Sequence, residues 1–382
     1  MKIAVLGGYQ TKFGELWDKS LEDLIFEASI EAIKDGGLNK SEIEIAFLGN
    51  KLSSRAADQT HLGALMNEVL GIGIPAVRVE AACASGGVAM AQASLAIASG
   101  EYEVALVIGA EKMTDLPASE TVAALMEAGS EEERQAGLSF VGLYALMAQK
   151  YIDEYGASEK DLANVAVKNH FHASLNEKAQ FPYEITLKQV LASPVVASPL
   201  KLLDCSPITD GAAAVVLASE RFAKKRSKKN IWITASVQTG ETLSLSGRKS
   251  LTGLLATERA VRKAKDQAGV KNKEIDFLEV HDCFTIAEIL ALEDLGFYPK
   301  GEGYLAVRNG EVKIGGKRPV NLSGGLKACG HPVGATGVKQ IVEIYNQLRG
   351  RGGKRQVENA KLGLAHNVGG TGGTVTVHVL QK

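Results

Sequence analysis

At 382 residues, with 45% hydrophobic and 23% charged side chains, the chain exceeds one ordinary domain and carries core enough for two. Its 43 basic and 44 acidic residues leave a formal net charge of -1, which excludes a global field for nucleic acid or an anionic membrane. The opening MKIAVLGGYQTKFGEL has no apolar signal region and no stretch approaches the ~20 apolar residues that cross a bilayer, so no membrane role and a cytoplasmic location are expected.

After Ser20, apolar Leu21, Leu24, Ile25, Ala28, Ala32 and Ile33 recur at helical spacing, and Ser20 with Asp23 has the pattern of a capping box. The helix should stop at Gly36 and Gly37, and the apolar run 43–48 reads as a buried strand. VRVEAACASGGVAMAQASLAIASG predicts a strand, a Gly-rich turn and an Ala-rich helix to about Ala98, and EVALVIGA a closing strand. Charge then rises, and GLYALMAQKYIDEYG and KNHFHASLNEKAQF carry helical and loop patterns, as expected of an inserted loop domain. AAAVVLAS returns to strand.

Downstream the opening phrase recurs. TERAVRKAKDQA is a helical pattern ended by Gly269, and VKNKEIDFLEVHD follows, with GVKNKEID matching the earlier GLNKSEIE. VNLSGGLKACGHPVGATGVKQIVEIYNQL repeats the order strand, Gly-rich turn, helix, and KLGLAH and TVTVHVL are closing strands. The expected organisation is two duplicated α/β halves, residues 1–112 plus 203–225 and residues 226–382, with 113–202 inserted. Strands alternating with helices predict largely parallel sheets covered on both faces.

Four widely spaced cysteines without a CxxC pair exclude a disulfide framework and a zinc ribbon. Cys83 lies between a strand and a helix, where exposed N–H groups and the helix dipole favour thiolate. Gly86 and Gly87 behind it would let another backbone or a substrate come close. At the equivalent junction of the second copy stands His331, and a pseudo-twofold between the halves would bring the two together as nucleophile and base. HDCF (281–284) and HNVGGTGG (366–373) end two further strands, on the edge where α/β sheets bind ligands. The latter has neither GxGxxG nor a P-loop lysine and is no nucleotide loop.

With ACASG at Cys83, DCSPITDGAAA from Asp204 and GHPVGATG from Gly330, the whole chain resembles the thiolase superfamily. HDCF in place of the common Asn-Glu-Ala-Phe turn, and NVGGT in place of Cys-x-Gly-Gly-Gly, are similar to the sterol carrier protein-type branch and its archaeal relatives. The resemblance implies a duplicated five-layer α-β-α-β-α core with an inserted loop domain. It implies Cys83 as nucleophile, His331 as its base and a donor to the thioester oxygen, and Cys283 as acid/base for the second substrate. His281 would complete the first oxyanion hole, and the N–H groups of Cys83 and Gly369 would form the second. Cys205 and Cys329 would be structural.

The implied reaction is acetyl-CoA C-acetyltransfer, a Claisen condensation of two acetyl-CoA to acetoacetyl-CoA with no metal or redox cofactor, feeding the mevalonate pathway. A degradative 3-ketoacyl-CoA thiolase is the alternative enzyme, and a catalytically silent assembly subunit the alternative of another class. A homodimer or tetramer is implied, with hydroxymethylglutaryl-CoA synthase and a small OB-fold scaffold protein as partners.

Overall fold

A computed structural model of the chain describes residues 2–226 and 230–382. The helix expected after Ser20 runs Leu21–Asp35. The Ser20 hydroxyl accepts from the Asp23 N–H at 3.1 Å and the Asp23 carboxylate accepts from the Ser20 N–H at 2.9 Å, which closes the capping box. Its duplicate, Leu255–Ala268, ends at left-handed Gly269 (φ +68°). In both copies one short turn, Lys40–Glu42 or Asn272–Glu274, then leads into a fully buried strand.

The strands are β1 (Ile3–Gln10), β2 (Ile45–Gly49), β3 (Ala76–Val79), β4 (Val104–Glu111), β5 (Val195–Ala197), β6 (Leu200–Lys201), β7 (Gly211–Ser219), β8 (Ile231–Gly240), β9 (Phe277–Glu279), β10 (Leu362–Gly369) and β11 (Thr374–Gln381). All but the β5–β6 hairpin join one ladder, in the order β3-β2-β4-β7-β1-β8-β11-β10-β9. Only β2–β3, β2–β4 and β9–β10 pair in parallel. The others are antiparallel, so the expected largely parallel sheet is in fact mixed. The reason lies in the connections: β10 and β11 form a tight hairpin, and β7 is delivered by the inserted segment instead of a helical crossover. The strand expected at VNL shrinks to a single parallel bridge between Leu278 and Val320.

Five layers result. Helices Leu21–Asp35 and Leu62–Leu70 cover one face, packing Leu24, Ile25 and Met66 on Val104 and Leu106. Helices Ser85–Ala98 and Thr336–Leu348 lie between the halves, where Met90 and Ile341 share a cluster with Val107 of the first half and Ile233 and Leu380 of the second. Helices Leu255–Ala268 and Thr285–Asp294 close the far side.

The central helices meet through glycine. A Cβ on Gly337 would lie 2.2 Å from the Gly87 nitrogen, and one on Gly86 2.7 Å from the Gly334 oxygen, so only glycine permits this backbone contact. It sets the starts of the two helices side by side, one following Cys83 and the other His331.

The inserted segment contributes helices Ala118–Met126, Phe140–Tyr155 and Glu159–Ser174. Its two ends are tied by Asp210, which accepts from the N–H groups of Met113 (2.6 Å) and Thr114 (2.9 Å) and pairs with Lys112 at 2.7 Å. Among the described residues no helix is long and apolar enough to cross a membrane.

Candidate active site

Cys83 sits on a turn that local chemistry shapes. Ala82 before it is left-handed (φ +51°), a conformation costing of order 1–2 kcal/mol for a residue with a Cβ. The Ser85 hydroxyl offsets this by accepting from the Ala81 N–H (2.9 Å) and donating to the Ala82 carbonyl (2.6 Å). The turn lifts the half-buried Cys83 into a cavity of about 130 Å³. Met113, Val122, Leu125, Phe140, Tyr144 and Val333 supply its apolar wall, and Cys283, Cys205, His331 and Gly370 also reach it.

His331 follows a short helix, Gly325–Cys329, and its N–H donates to the Thr209 hydroxyl at 3.0 Å. Its Nδ1 lies 2.7 Å from the Thr336 hydroxyl, which itself donates to the Pro332 carbonyl at 3.1 Å. With its one proton so engaged, the hydroxyl accepts from Nδ1–H, and Nε2 keeps a lone pair. Burial and the Lys339 charge hold the imidazole down to about 3, so it is a neutral base.

His281 is oriented by Asn367. The Gly87 N–H can only donate, and it meets Asn367 Oδ1 at 3.2 Å; the Cys83 carbonyl can only accept, and it meets Nδ2 at 3.0 Å. The amide orientation is thereby determined, and Nδ2 donates to His281 Nδ1 at 3.1 Å. The His281 proton is then on Nε2, which is buried and has no partner. The two imidazoles stand edge to face with ring centroids 5.1 Å apart.

Cys83, His281 and His331 each bring one donor atom within 4.8 Å of the others. A tetrahedral zinc draws its ligands to roughly 3.5 Å of one another, a tighter trio than this limit describes. One lone pair beside Cys83 and one free N–H beside it suit thiol activation and an oxyanion.

A family model described as the thiolase N-terminal domain matches residues 3–221, and one described as thiolase C-terminal domain-like matches residues 238–382. The chain belongs to the thiolase family. An acetyl-CoA acetyltransferase of Methanothermobacter thermautotrophicus is 47% identical over 381 residues, covering 100% of this chain and 99% of that one. One of Methanocaldococcus jannaschii is 45% identical, covering 99% and 98%. Human sterol carrier protein 2 is 34% identical over 98% of this chain but only 71% of its own length. Among solved structures, an Ltp2-ChsH2(DUF35) aldolase matches with a TM-score of 0.86 at 25% identity, covering 99% and 97%. This thiolase is therefore an acyltransferase, and the Methanothermobacter and Methanocaldococcus relatives that match it over nearly their full length are named acetyl-CoA acetyltransferases.

One expectation from the sequence, the thiolate at Cys83, needs correction in the thiolase site. Burial pushes the Cys83 thiol up to about 11, against the pull of Lys51 and of the Gly370 and Cys83 N–H groups, so the resting group is a thiol and not the thiolate that a helix start suggests. Gly369, expected in the second oxyanion hole, still belongs to β10 and pairs with Thr374. Left-handed Gly370, one residue on, lines the cavity with Cys83. Cys205, expected to be only structural, lines the cavity beside Cys283, and its neighbour Ser206 donates to the Cys283 carbonyl at 2.9 Å. Cys329 is fully buried against Gln10 and Asn176, in keeping with a structural role.

Cys283 is buried at the start of the helix Thr285–Asp294, and burial raises its thiol well above the ordinary value. Asp282 beside it accepts from the Leu326 N–H at 2.6 Å and from Asn169 at 2.6 Å, tying the HDCF turn to the short helix before His331. Sequence reasoning missed Asp282, Asn367 and Tyr144 as site residues. Asn367 had a signal, since it stands where many thiolases place a cysteine.

Proposed function

We propose that this thiolase condenses two acetyl-CoA molecules to acetoacetyl-CoA and coenzyme A through an acetyl group on Cys83. His331 Nε2 takes the Cys83 proton as the sulfur attacks the thioester carbon. The oxyanion meets the Nε2–H of His281 and the proton now on His331. Coenzyme A leaves as a thiolate and takes the proton of Cys283. The Cys283 thiolate then removes a proton from the methyl of the second acetyl-CoA, and the resulting carbon attacks the acyl-enzyme. This second oxyanion would lie between the N–H groups of Cys83 and Gly369, an arrangement often worth ~3 kcal/mol per donor. Cys83 departs as thiolate and recovers its proton from His331. The thioester already activates both carbons, so the chemistry needs no metal or redox cofactor.

The observation that carries the acetyl reading is the cavity. A cavity of ~150 Å³ holds benzene, with six heavy atoms, and an acetoacetyl group also has six. The 130 Å³ beside Cys83 and Cys283 therefore supports two acetyl units and little more. The cytoplasmic setting, a supply of acetoacetyl-CoA to the mevalonate pathway, a homodimer or tetramer, and a partnership with hydroxymethylglutaryl-CoA synthase and a small OB-fold scaffold protein belong to the same reading. Full-length likeness to two acetyl-CoA acetyltransferases supports the acetyl transfer itself. Likeness to a thiolase-fold protein seen with a DUF35 partner supports a small partner.

Intact-mass spectrometry after mixing with acetyl-CoA tests the reading. Wild type should gain one acetyl group and Cys83→Ala none. An adduct that survives in Cys83→Ala moves the nucleophile elsewhere.

A further inference from the structure

Tyr144 comes from the inserted segment, on the helix Phe140–Tyr155, and nothing in the catalytic motifs points to it. It is 1% exposed, and it lines the cavity with Cys83, Cys283 and Gly370. Its hydroxyl donates to the Gly370 carbonyl at 3.1 Å, and its ring packs on Phe284, next to Cys283, with centroids 4.8 Å apart. Gly370 is thus held by Tyr144 through its carbonyl, with Cys83 beside it on the same cavity. A buried phenol with one carbonyl acceptor and a thiol on the same cavity wall has two uses for a single proton.

We propose that Tyr144 is a positioning residue for the carbon–carbon step, donating to the Gly370 carbonyl in the resting enzyme and to the Cys283 sulfur once that sulfur is a thiolate. Rotation about the C–O bond of the phenol is the only movement needed. The inference rests on the proposed acetyl-CoA condensation. In that cycle Cys283 gives its proton to the departing coenzyme A sulfur, so a buried thiolate stands opposite the acetyl-enzyme until it removes a proton from the second substrate. Uncompensated, such a charge is costly.

The groups acting on Cys283 are few. Burial, Cys83 and Asp282 all disfavour its thiolate, whereas the Tyr144 hydroxyl and the Phe284 N–H favour it. Arg248, which donates to the Thr371 hydroxyl at 2.9 Å, pulls the Tyr144 phenol towards ionisation, against burial and Cys283. The phenol is the only side-chain donor in that set. Its own acidity is suppressed by burial and by Cys283, so it donates a hydrogen bond and keeps its proton.

The test is Tyr144→Phe, which keeps the ring on Phe284. Acetyl-enzyme formation from acetyl-CoA should stay within about twofold of wild type, because Cys83 and His331 perform it. Acetoacetyl-CoA formation from that acetyl-enzyme should fall about tenfold at neutral pH, and its pH profile should move up by about one unit, the equivalent of tenfold in proton affinity. In a Cys283→Ala background the same substitution should cost nothing further. Equal slowing of both half-reactions with an unmoved pH profile, or a full additional loss in Cys283→Ala, would overturn the proposal in favour of simple packing. A wild-type enzyme that forms no acetyl adduct would instead defeat the underlying reading.

Discussion

Cys83 and Cys283 share a cavity but have separable tasks in the proposed cycle, and the separation is measurable. Cys283→Ala should still accumulate acetyl-enzyme, since acylation uses the Cys83 thiol, the His331 lone pair and the His281 N–H. Condensation, which needs a base at the second acetyl group, should lose ~10²-fold or more. Stopped mass spectrometry for the first step and product absorbance for the second distinguish the outcomes; near-normal turnover would mean another group takes the proton. The pH dependence of acylation follows from the same burial. His331 is held to about 3 and Cys83 is raised to about 11, so neither changes charge between about pH 5 and 9. In that window the pair stays imidazole plus thiol, and the acylation rate should be flat. An inflection near 6.5 would mean that His331 titrates as an ordinary histidine.

Among the elements, the contact between Ser85–Ala98 and Thr336–Leu348 carries both stability and geometry. The Ala-rich helix and the glycines at its start were legible as close-packing devices. That they face Gly334 and Gly337, and not a substrate, was decided by the way the halves fold over one another. Gly337→Ala would place its Cβ 2.2 Å from the Gly87 nitrogen, on backbone that cannot swing aside. Overpacking of this kind costs ~1–3 kcal/mol or more. Denaturant melts should show that loss, and acylation should slow as well because the two helix starts also carry Cys83 and His331. Full activity at reduced stability would show that the catalytic pair does not depend on this contact.

At the scale of the molecule, the inserted segment walls the cavity with Val122, Leu125, Phe140 and Tyr144, and in the proposed reading it governs acyl length. Thiolysis of acetoacetyl-CoA should exceed that of an eight-carbon 3-ketoacyl-CoA by about tenfold or more. One extra methylene against a closed apolar wall already discriminates by ~10-fold or more. A flat response from four to eight carbons would favour the degradative alternative. Light scattering at micromolar concentration checks assembly, with dimer or tetramer expected.

The sequence alone specified the strand–turn–helix junctions, the repeated phrase and the two junctions that carry Cys83 and His331. Each of these is written locally: a capping box, a glycine stop, an apolar run followed by a thiol and two glycines. Family motifs added His281 and Cys283. Tertiary structure decided what depends on distant approach or on burial. Tyr144 meets Gly370 across 226 residues, and Asn367 meets Cys83 across 284. The antiparallel course of β7 follows from where the inserted segment delivers it, which periodicity does not encode. The Cys83 thiol is raised, not lowered, because desolvation by the surrounding walls outweighs the nearby N–H groups, and a helix start read from sequence reports only the latter.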